Sequence, residues 1–492
     1  MDASRPFRLA SMPPAGPHLP RVRPASVIAL LILMIGFISV AFASDANWSD
    51  QFAPPPGGQG ILPGTYTRVF TQMEFQGDLI VGGEFAQVGN LPSRGIARWD
   101  GNSWHPLGSG LNGNGYALAV YDGDLVVGGY FTEAGGEPAS HIARWDGNSW
   151  YPLGAGIGTP SHGAVVTLAV YDGDLIAGGV FAEAGGAPAR LLARWDGTGW
   201  SELGGGLSGD NAERVTALLA YEDDLIVGGH FDEAGGQPIT GIARWDGSAW
   251  SSMNGQALGD GPFVDKLLEF NGQLHAGGAF YPIGVGLDGV VRWDGTTWHM
   301  LGDGLAGGGV QSLTVYNGQL VAGGYFTTSG PASVRFVGRW DGTRWLPLGS
   351  SVDGVVYSVA AKGIDLYVGG WFSQAGGQPS SRIARWTEST TAAPEAEAAS
   401  VAIELAPNLP NPFTGSTTIS YALSQPAPVR LSVFDVAGRH IATLVQEHQR
   451  AGNHETAWNG RDALGRQVAP GVYVYRLQSG SEVGARRMIR LD

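Results

Sequence analysis

The stretch ALAVYDGDLVVGGYFTEAGGEPASHIARWDGNSWYPL, residues 117–153, carries four short strand signals separated by turns. Two apolar runs flank a turn at residues 122–123, and two Trp-containing runs flank a loop at residues 146–149. A Gly-rich loop joins these two hairpins. Because Trp145 and Trp150 flank the second loop, we expect their rings to face each other across the hairpin. The stretch therefore predicts a four-stranded antiparallel unit.

The unit recurs seven times along the chain. In every unit a Trp follows an Arg, at intervals of 46 to 50 residues, and a Gly-Gly-x-Phe motif recurs in step. These tryptophans are Trp99, Trp145, Trp195, Trp245, Trp293, Trp340 and Trp386. Four strands per unit at this period are typical of the blades of a β-propeller, and no helical periodicity is present. The sequence therefore predicts an all-β fold whose main body, residues 44–386, is a seven-bladed β-propeller.

The seventh unit lacks a fourth strand in continuous sequence. After Trp386 the composition becomes rich in Thr, Ala and Glu, which predicts a flexible linker over residues 387–400. The missing strand signal lies instead near the N-terminus, where residues 47–52 resemble the end of an internal unit at residues 104–107. We expect this N-terminal strand to complete the last blade and close the ring, because closure removes an exposed sheet edge.

The repeats resemble two known groups of propeller repeats. The double Gly after an apolar strand, followed by an aromatic residue and then a Trp, is similar to kelch-type repeats. The Ala-Gly-Gly and Ile-Ala-Arg-Trp-Asp-Gly motifs within residues 134–147 are even more similar to the repeats of fungal cortical marker proteins used in bud-site selection. The resemblance covers residues 47–386, although the fifth and sixth units lack Ala-Gly-Gly. Both groups imply binding or scaffolding roles, and neither implies a catalytic set.

The start of the chain is typical of an export signal. Four arginines precede an apolar run over residues 27–42, and residues 41–43 offer a small-x-small cleavage site. We expect residues 1–43 to be a signal peptide, with an uncleaved membrane anchor as the alternative. No other stretch is apolar enough to cross a bilayer, so no membrane span is expected after cleavage.

Composition excludes several function classes. The chain has no Cys, which rules out disulfides, thiolate metal sites and cysteine nucleophiles. The net charge of the chain is −15, and the repeat region alone carries −17, which argues against nucleic acid and anionic lipid as partners.

Residues 401–492 follow a different pattern. Alternating strands and tight turns predict a small β-sandwich. The sequence of this segment resembles FlgD-like immunoglobulin-type domains and the C-terminal sorting domains of type IX secretion. The matching residues are Asn411, Pro412, Phe413, Phe434, Asp435, Gly438, Arg439, Trp458, Asn459, Gly460, Asp462, Gly465, Gly471, Val472, Tyr473, Tyr475, Arg476 and Leu477. The resemblance implies a bacterial protein that is carried across the outer membrane and contacts the secretion machinery, with a plain adhesive module as the alternative.

Acidic residues recur in the first and third turns of the units, on what we expect to be one face. Two explanations are open: Asp suits such turns, or the face collects calcium. The first is favoured because residues 317–319 form the same turn without an acid. The arginine before each Trp is expected to pack or to neutralise these acids. We therefore predict no metal site, no cofactor and no catalytic residues.

The residue type at position x of Gly-Gly-x-Phe varies from unit to unit, which makes this position a candidate for ligand recognition. Tyr130, His230, Tyr325 and Trp371 stand there, on the face opposite the acidic one, and are the predicted ligand-binding residues. They suit stacking on a glycan or anchoring a surface protein, with drift at tolerant positions as the alternative.

These observations predict a secreted or outer-surface binding or scaffolding module and favour a role other than catalysis. The alternative is an extracellular glycan-processing hydrolase or lyase, which would need a carboxylate pair or a His-Tyr set in the propeller funnel.

Overall fold

The computed structural model describes residues 45–55, 58–62, 66–159, 162–209, 213–259, 261–280, 289–388, 403–424, 426–435, 440–462, 466–479 and 482–491. The predicted signal peptide and most of the predicted linker lie outside these residues. Within them the chain is almost entirely β-structure, with 3-10 turns at Asp45–Asn47 and Gly255–Leu258. No helix in this described part is long and apolar enough for a membrane crossing.

Seven antiparallel sheets, numbered here in chain order, follow one another between Arg68 and Thr387 in the described residues. Their inner strands are Arg68–Phe75, Asn114–Tyr121, Ala164–Tyr171, Arg214–Tyr221, Phe263–Phe270, Val310–Tyr316 and Val355–Lys362. The second strands are Asp78–Glu84, Asp124–Tyr130, Asp174–Val180, Asp224–His230, Gln273–Ala279, Gln319–Gly324 and Asp365–Trp371. The third strands are Ile96–Trp99, Ile142–Trp145, Leu192–Trp195, Ile242–Trp245, Gly289–Trp293, Val337–Trp340 and Ile383–Thr387. Sheets 1 to 6 add outer strands Trp104–Pro106, Trp150–Pro152, Trp200–Glu202, Trp250–Ser252, Trp298–Met300 and Trp345–Pro347.

Two-residue hairpins form where the sequence predicted only Gly-rich loops. Their strands are Gln87–Val88 with Leu91–Pro92, Glu133–Ala134 with Glu137–Pro138, Glu183–Ala184 with Ala187–Pro188, Glu233–Ala234 with Gln237–Pro238, Thr328–Ser329 with Ala332–Ser333, and Gln374–Ala375 with Gln378–Pro379. Leu207–Ser208 adds a third strand to the fourth of these hairpins.

The β-propeller and its repeated motifs follow from packing between successive sheets. The first Gly of Gly-Gly-x-Phe leaves room for a Val of the next sheet: a Cβ on Gly178 would lie 2.5 Å from Val215 Cγ1. The second Gly leaves room for its own sheet's inner strand, since a Cβ on Gly179 would lie 2.0 Å from the Ala164 carbonyl oxygen. The two glycines therefore allow the second strand to approach the next sheet and its own inner strand closely, and any side chain larger than hydrogen is excluded at both positions.

The predicted Trp pairs are confirmed. Trp145 pairs with Trp150 across the hairpin, and their ring centroids lie 5.3 Å apart. Equivalent pairs with centroids 5.0 to 5.5 Å apart occur in sheets 1 and 3 to 6. Such tilted pairs add to the burial of apolar surface between the outer two strands of each sheet.

The N-terminal segment lies against sheet 7. Trp48 forms an antiparallel bridge with Trp386, with ring centroids 5.0 Å apart, and Ser49 N–H donates to the Arg385 carbonyl. Phe52 is fully buried between Trp99 of sheet 1 and Tyr367 of sheet 7. The inner strands of sheets 7 and 1 are also in contact.

Sheet 7 extends slightly past the expected boundary at residue 386. Its last strand ends at Thr387, whose hydroxyl donates to Asp365, and Glu388 forms an ion pair with Arg339 at 2.8 Å. These contacts hold two residues that composition alone assigns to the linker.

The C-terminal domain is an Ig-like arrangement of two sheets. One contains Ile403–Leu405, Thr417–Leu423 and Gly452–Trp458; the other contains Ala427–Asp435, His440–Gln449, Gly471–Ser479 and Glu482–Arg490. Trp458, Tyr475 and Phe413 are buried in the core between them. Asn411 clamps the last strand, because its side chain accepts from Ile489 N–H and donates to the Arg487 carbonyl.

Candidate functional site

A channel of about 560 Å³ runs between the inner strands of all seven sheets. Each inner strand carries a bulge at the same place: in sheet 3, Val165 pairs with Gly179 and Thr167 with Gly178, so Val166 is left without a partner on the second strand. The seven bulge residues, here called the bulge ring, are Phe70, Tyr116, Val166, Thr216, Asp265, Gln311 and Tyr357. All seven line the channel.

The bulges place the side chains of the bulge ring near one end of the channel, here called the mouth. A bulge re-aims a side chain away from the regular ladder. It lies beside the second Gly of Gly-Gly-x-Phe, the position where backbone carbonyl oxygens leave no room for a Cβ. The repeated Gly-Gly motif and the bulge beside it therefore place one side chain per sheet in the channel, and the identity of this side chain can vary.

One side of the bulge ring is aromatic. Phe70 lies edge-on to Tyr116, with centroids 5.1 Å apart, and 5.4 Å from Tyr357. Tyr325 extends this arc outward, because its hydroxyl donates to the Tyr357 hydroxyl at 3.3 Å. Asn114 Nδ2 donates to the Tyr116 hydroxyl at 3.2 Å and holds that ring in place.

The other side of the bulge ring is polar. Gln311 Nε2 donates to Asp265 Oδ2 at 2.8 Å, and the Thr216 hydroxyl donates to the Val264 carbonyl at 2.7 Å. Burial raises the pKa of Asp265 to about 6, although the charge of Arg214 and the Gln311 hydrogen bond both act to lower it. Asp265 is thus a carboxylate held at some energetic cost beside the channel.

Lys266 adds a cationic group one residue deeper. The equivalent residue is small in the other six sheets: Thr71, Ala117, Thr167, Ala217, Ser312 and Ser358. Lys266 lines the channel, and its side chain is exposed to the solvent there. The protein on all sides of the channel partly desolvates the ammonium group, and this lowers the pKa of Lys266.

The four residues predicted from the sequence lie at the mouth but do not form one cluster. Tyr130, Tyr325 and Trp371 are 49%, 41% and 46% exposed. Trp371 lies under the Arg68 guanidinium at 5.4 Å, and Tyr130 stacks on His141. Among the described residues, no ring contact joins these side chains to one another.

His230 is placed differently from the other three. Its ring stacks flat on Phe263, with centroids 4.4 Å and planes 5° apart, and the Arg214 guanidinium covers the same Phe263 ring. His230 therefore supports the position of Arg214, which acts on Asp265.

Sequence reasoning missed the bulge ring. The signal was present, because the bulge position varies among the seven units, as Phe, Tyr, Val, Thr, Asp, Gln and Tyr, while the residue before it is Val in six of them. What the sequence did not show was that this position bulges into the channel.

The opposite end of the sheets, here called the turn face, carries the acids as expected. Each third-turn Asp accepts backbone N–H groups of its own turn: Asp146 Oδ1 accepts from Asn148 and Ser149 at 2.8 Å. Five of the seven arginines before the Trp residues pair with first-turn acids, as Arg98 does with Asp78 and Arg144 with Asp124, each at 2.7 Å. Arg292 donates instead to the Gln273 side chain, and Arg339 pairs with Glu388. The neutralising role predicted for the arginines is therefore confirmed for these five.

The third-turn acids and the first-turn acids that pair with arginine are thus engaged by the protein itself, which supports the turn explanation over calcium collection. In the described part of the chain, no three His, Asp or Glu side chains are grouped so as to hold a metal ion.

Comparisons with known families match both parts of the fold. Residues 408–482 match the FlgD Ig-like domain, and residues 122–148 and 366–387 match a beta-propeller domain of unknown function, DUF5122. The chain thus combines a β-propeller with a FlgD-like Ig domain. The resemblance to kelch-type and cortical marker repeats stays a prediction. No curated protein matches the chain in sequence.

Solved structures give more distant matches. PorZ, a surface component of the type-IX secretion system of Porphyromonas gingivalis, is 14% identical over 87% of this chain and 70% of its own, with a TM-score of 0.36. YjhT is 16% identical over 59% of this chain and 97% of its own, with a TM-score of 0.36. A copper-bound fungal alcohol oxidase of the AA5 family is 12% identical over 90% and 99%, with a TM-score of 0.37. At these scores none of the three bears on function.

Proposed function

We propose that this protein is an exported bacterial binding or scaffolding module that holds its ligand at the channel mouth. The observation that carries the proposal is the contrast between frame and mouth. Gly-Gly motifs, Trp pairs and Arg–Asp pairs repeat from sheet to sheet, whereas the bulge ring and the rim residues Tyr130, His230, Tyr325 and Trp371 differ. A repeated frame with one variable end is suited to recognition.

The proposal includes a ring of seven blades closed by the N-terminal segment. The bridge from Trp48 to Trp386 supports it, as does the burial of Phe52 between sheets 1 and 7. A further support is that a Cβ on Gly369 of sheet 7 would lie 2.4 Å from Val69 Cγ1 of sheet 1, the same relation that joins sheets 2 to 7 to one another.

The FlgD-like domain is proposed to serve secretion or surface attachment. Its match over residues 408–482 and the export signal expected at residues 1–43 support a secreted or outer-surface location. Expression with and without residues 401–492, followed by fractionation into cells, outer membrane and medium, tests this. Unchanged distribution of the truncated chain contradicts a role of this domain in sorting.

Binding is tested with a triple variant, Tyr130→Ala, Tyr325→Ala and Trp371→Ala, on arrays of glycans and of surface proteins. We expect loss of the signal that the unaltered protein gives. Tyr151→Ala is the matched control, because Tyr151 is a similarly exposed aromatic residue on an outer strand. If the triple variant binds as strongly as the unaltered protein, these three residues are not part of the binding site.

A second candidate is the extracellular hydrolase or lyase. One observation favours it: Asp265 and Lys266, neighbours in the channel, both have shifted pKa values, as catalytic groups often do. Against it, the carboxylates among the described channel-lining residues are Asp265 and Glu74. They occupy the third and seventh positions of their strands, about 13 Å apart along the channel, which is too far for a glycosidase pair. Product release from array-positive glycans, lost in Asp265→Asn, would favour the enzyme.

A further inference from the structure

We infer that the bulge ring binds a neutral saccharide that enters the channel mouth end-on, an inference that rests on the binding function proposed above. The ligand contacts inferred here lie in the bulge ring and are distinct from the exposed rim residues.

The two halves of the bulge ring face each other across the channel. The aromatic arc comes from sheets 7, 1 and 2, as Tyr357, Phe70 and Tyr116. The polar arc comes from sheets 4, 5 and 6, as Thr216, Asp265 and Gln311, and successive inner strands pack in chain order around the channel. A ligand in the channel therefore meets rings on one side and oxygen and amide groups on the other.

This division matches the two faces of a sugar ring. Aromatic side chains bury the C–H surface of a pyranose, while carboxylate and amide groups bind its hydroxyls. Asp265 Oδ1 and Gln311 Oε1 accept no hydrogen bond from the described residues, so both remain as acceptors for ligand hydroxyls. The volume of about 560 Å³ is within the range of small-ligand pockets.

The charged groups around the mouth are of both signs. A cationic ligand would meet Lys266 in the channel and Arg214 and Arg68 at the rim. An anionic ligand would meet the carboxylate of Asp265 in the ring itself. Since both signs lie close to the site, a neutral ligand avoids repulsion from either.

The test uses the full chain on an array of neutral, uronate-containing and amino oligosaccharides, followed by calorimetric titration of the strongest neutral ligand. We expect neutral binding that weakens at least about tenfold in Phe70→Ala and in Gln311→Ala, as loss of a buried contact to a polar ligand predicts. Asp265→Asn keeps the side-chain shape and serves if Phe70→Ala does not fold. Val170→Ala, near the far end of an inner strand, should bind as the unaltered chain does.

Two results overturn the inference: binding confined to charged oligosaccharides, or neutral binding that the bulge-ring variants leave unchanged. They are separable from failure of the proposed function. If the chain binds a surface protein through the rim residues and binds no saccharide, the module function stands and the saccharide site falls. If it binds nothing on either array, both fall.

Discussion

Asp265, like its neighbour Lys266, is a residue at which the repeat departs in charge from its equivalents. The other six sheets place an uncharged residue at this bulge, and burial raises the Asp265 pKa to about 6. A carboxyl whose pKa is raised by folding binds its proton more tightly in the folded state. It therefore stabilises the fold below its unfolded pKa, and this contribution is lost as the pH rises through about 6.

We predict that Asp265→Asn melts at a higher temperature than the unaltered protein at pH 8, and that the difference disappears by pH 4. The reason is that Asn never carries the buried charge. Thermal melts across this pH range measure it, with the exposed Glu137→Gln as the control. A difference that is constant with pH, or a less stable variant at pH 8, contradicts the account.

Gln72 is a second departure. The equivalent position is aliphatic in the other sheets, as Leu118, Leu168, Leu218, Leu267, Leu313 and Val359. Both amide atoms of Gln72 are buried without a hydrogen-bond partner among the described residues. We predict that Gln72→Leu stabilises the protein by about 1–3 kcal/mol, the cost of a buried unsatisfied polar group. Chemical denaturation measures it; destabilisation would mean that the amide is satisfied in solution.

At the scale of elements, the close approach between sheets leads to a prediction about glycine. Gly228→Ala would bring a Cβ to 2.5 Å from Val264 Cγ1 of the next sheet, and the added atom should cost about 1–3 kcal/mol. Gly199→Ala is the control, because it has open space around it and an ordinary φ. Equal melting temperatures for the two variants would show that the sheets can move apart freely.

The strands could be predicted from sequence because each is bounded by a turn signal and the pattern repeats. The same regularity identified the Trp pairs and the role of Arg98 and its equivalents. The bulges could not be predicted, since an extra residue in an eight-residue strand leaves the apolar pattern readable in either register. For that reason the rim residue Tyr325 was found while its partner Tyr357, one layer inside the channel, was not.

The two-residue hairpins were missed for a different reason. Glu133–Ala134 and Glu137–Pro138 are too short to show alternation, and their Gly-rich turn is typical of a loop. What orders them is contact outside the hairpin: Leu111, from the preceding connection between sheets 1 and 2, forms a bridge with the buried Ala134. Tertiary contacts of this kind are absent from local sequence patterns.

For the whole molecule, the proposed closure makes the first and last parts of the propeller one structural unit. Trp48 then has the role that a first outer-strand Trp has inside the chain. Its indole N–H donates to the Leu348 carbonyl at 3.2 Å, as the Trp150 indole donates to Leu107 at 2.8 Å. Both tryptophans therefore reach the preceding sheet in the same way.

We predict that Trp48→Ala destabilises the propeller about as much as Trp345→Ala, by about 3–5 kcal/mol each, because both remove a buried indole between sheets. Gly369→Ala should likewise cost as much as Gly228→Ala, since sheet 7 meets sheet 1 as sheet 4 meets sheet 5. Tyr66→Ala, 64% exposed, is the control near the N-terminal segment. Denaturant titration of the full chain measures all of these. If Trp48→Ala and Gly369→Ala both behave like Tyr66→Ala while the internal variants are destabilised, the seven sheets form an open array and the N-terminal segment does not close it.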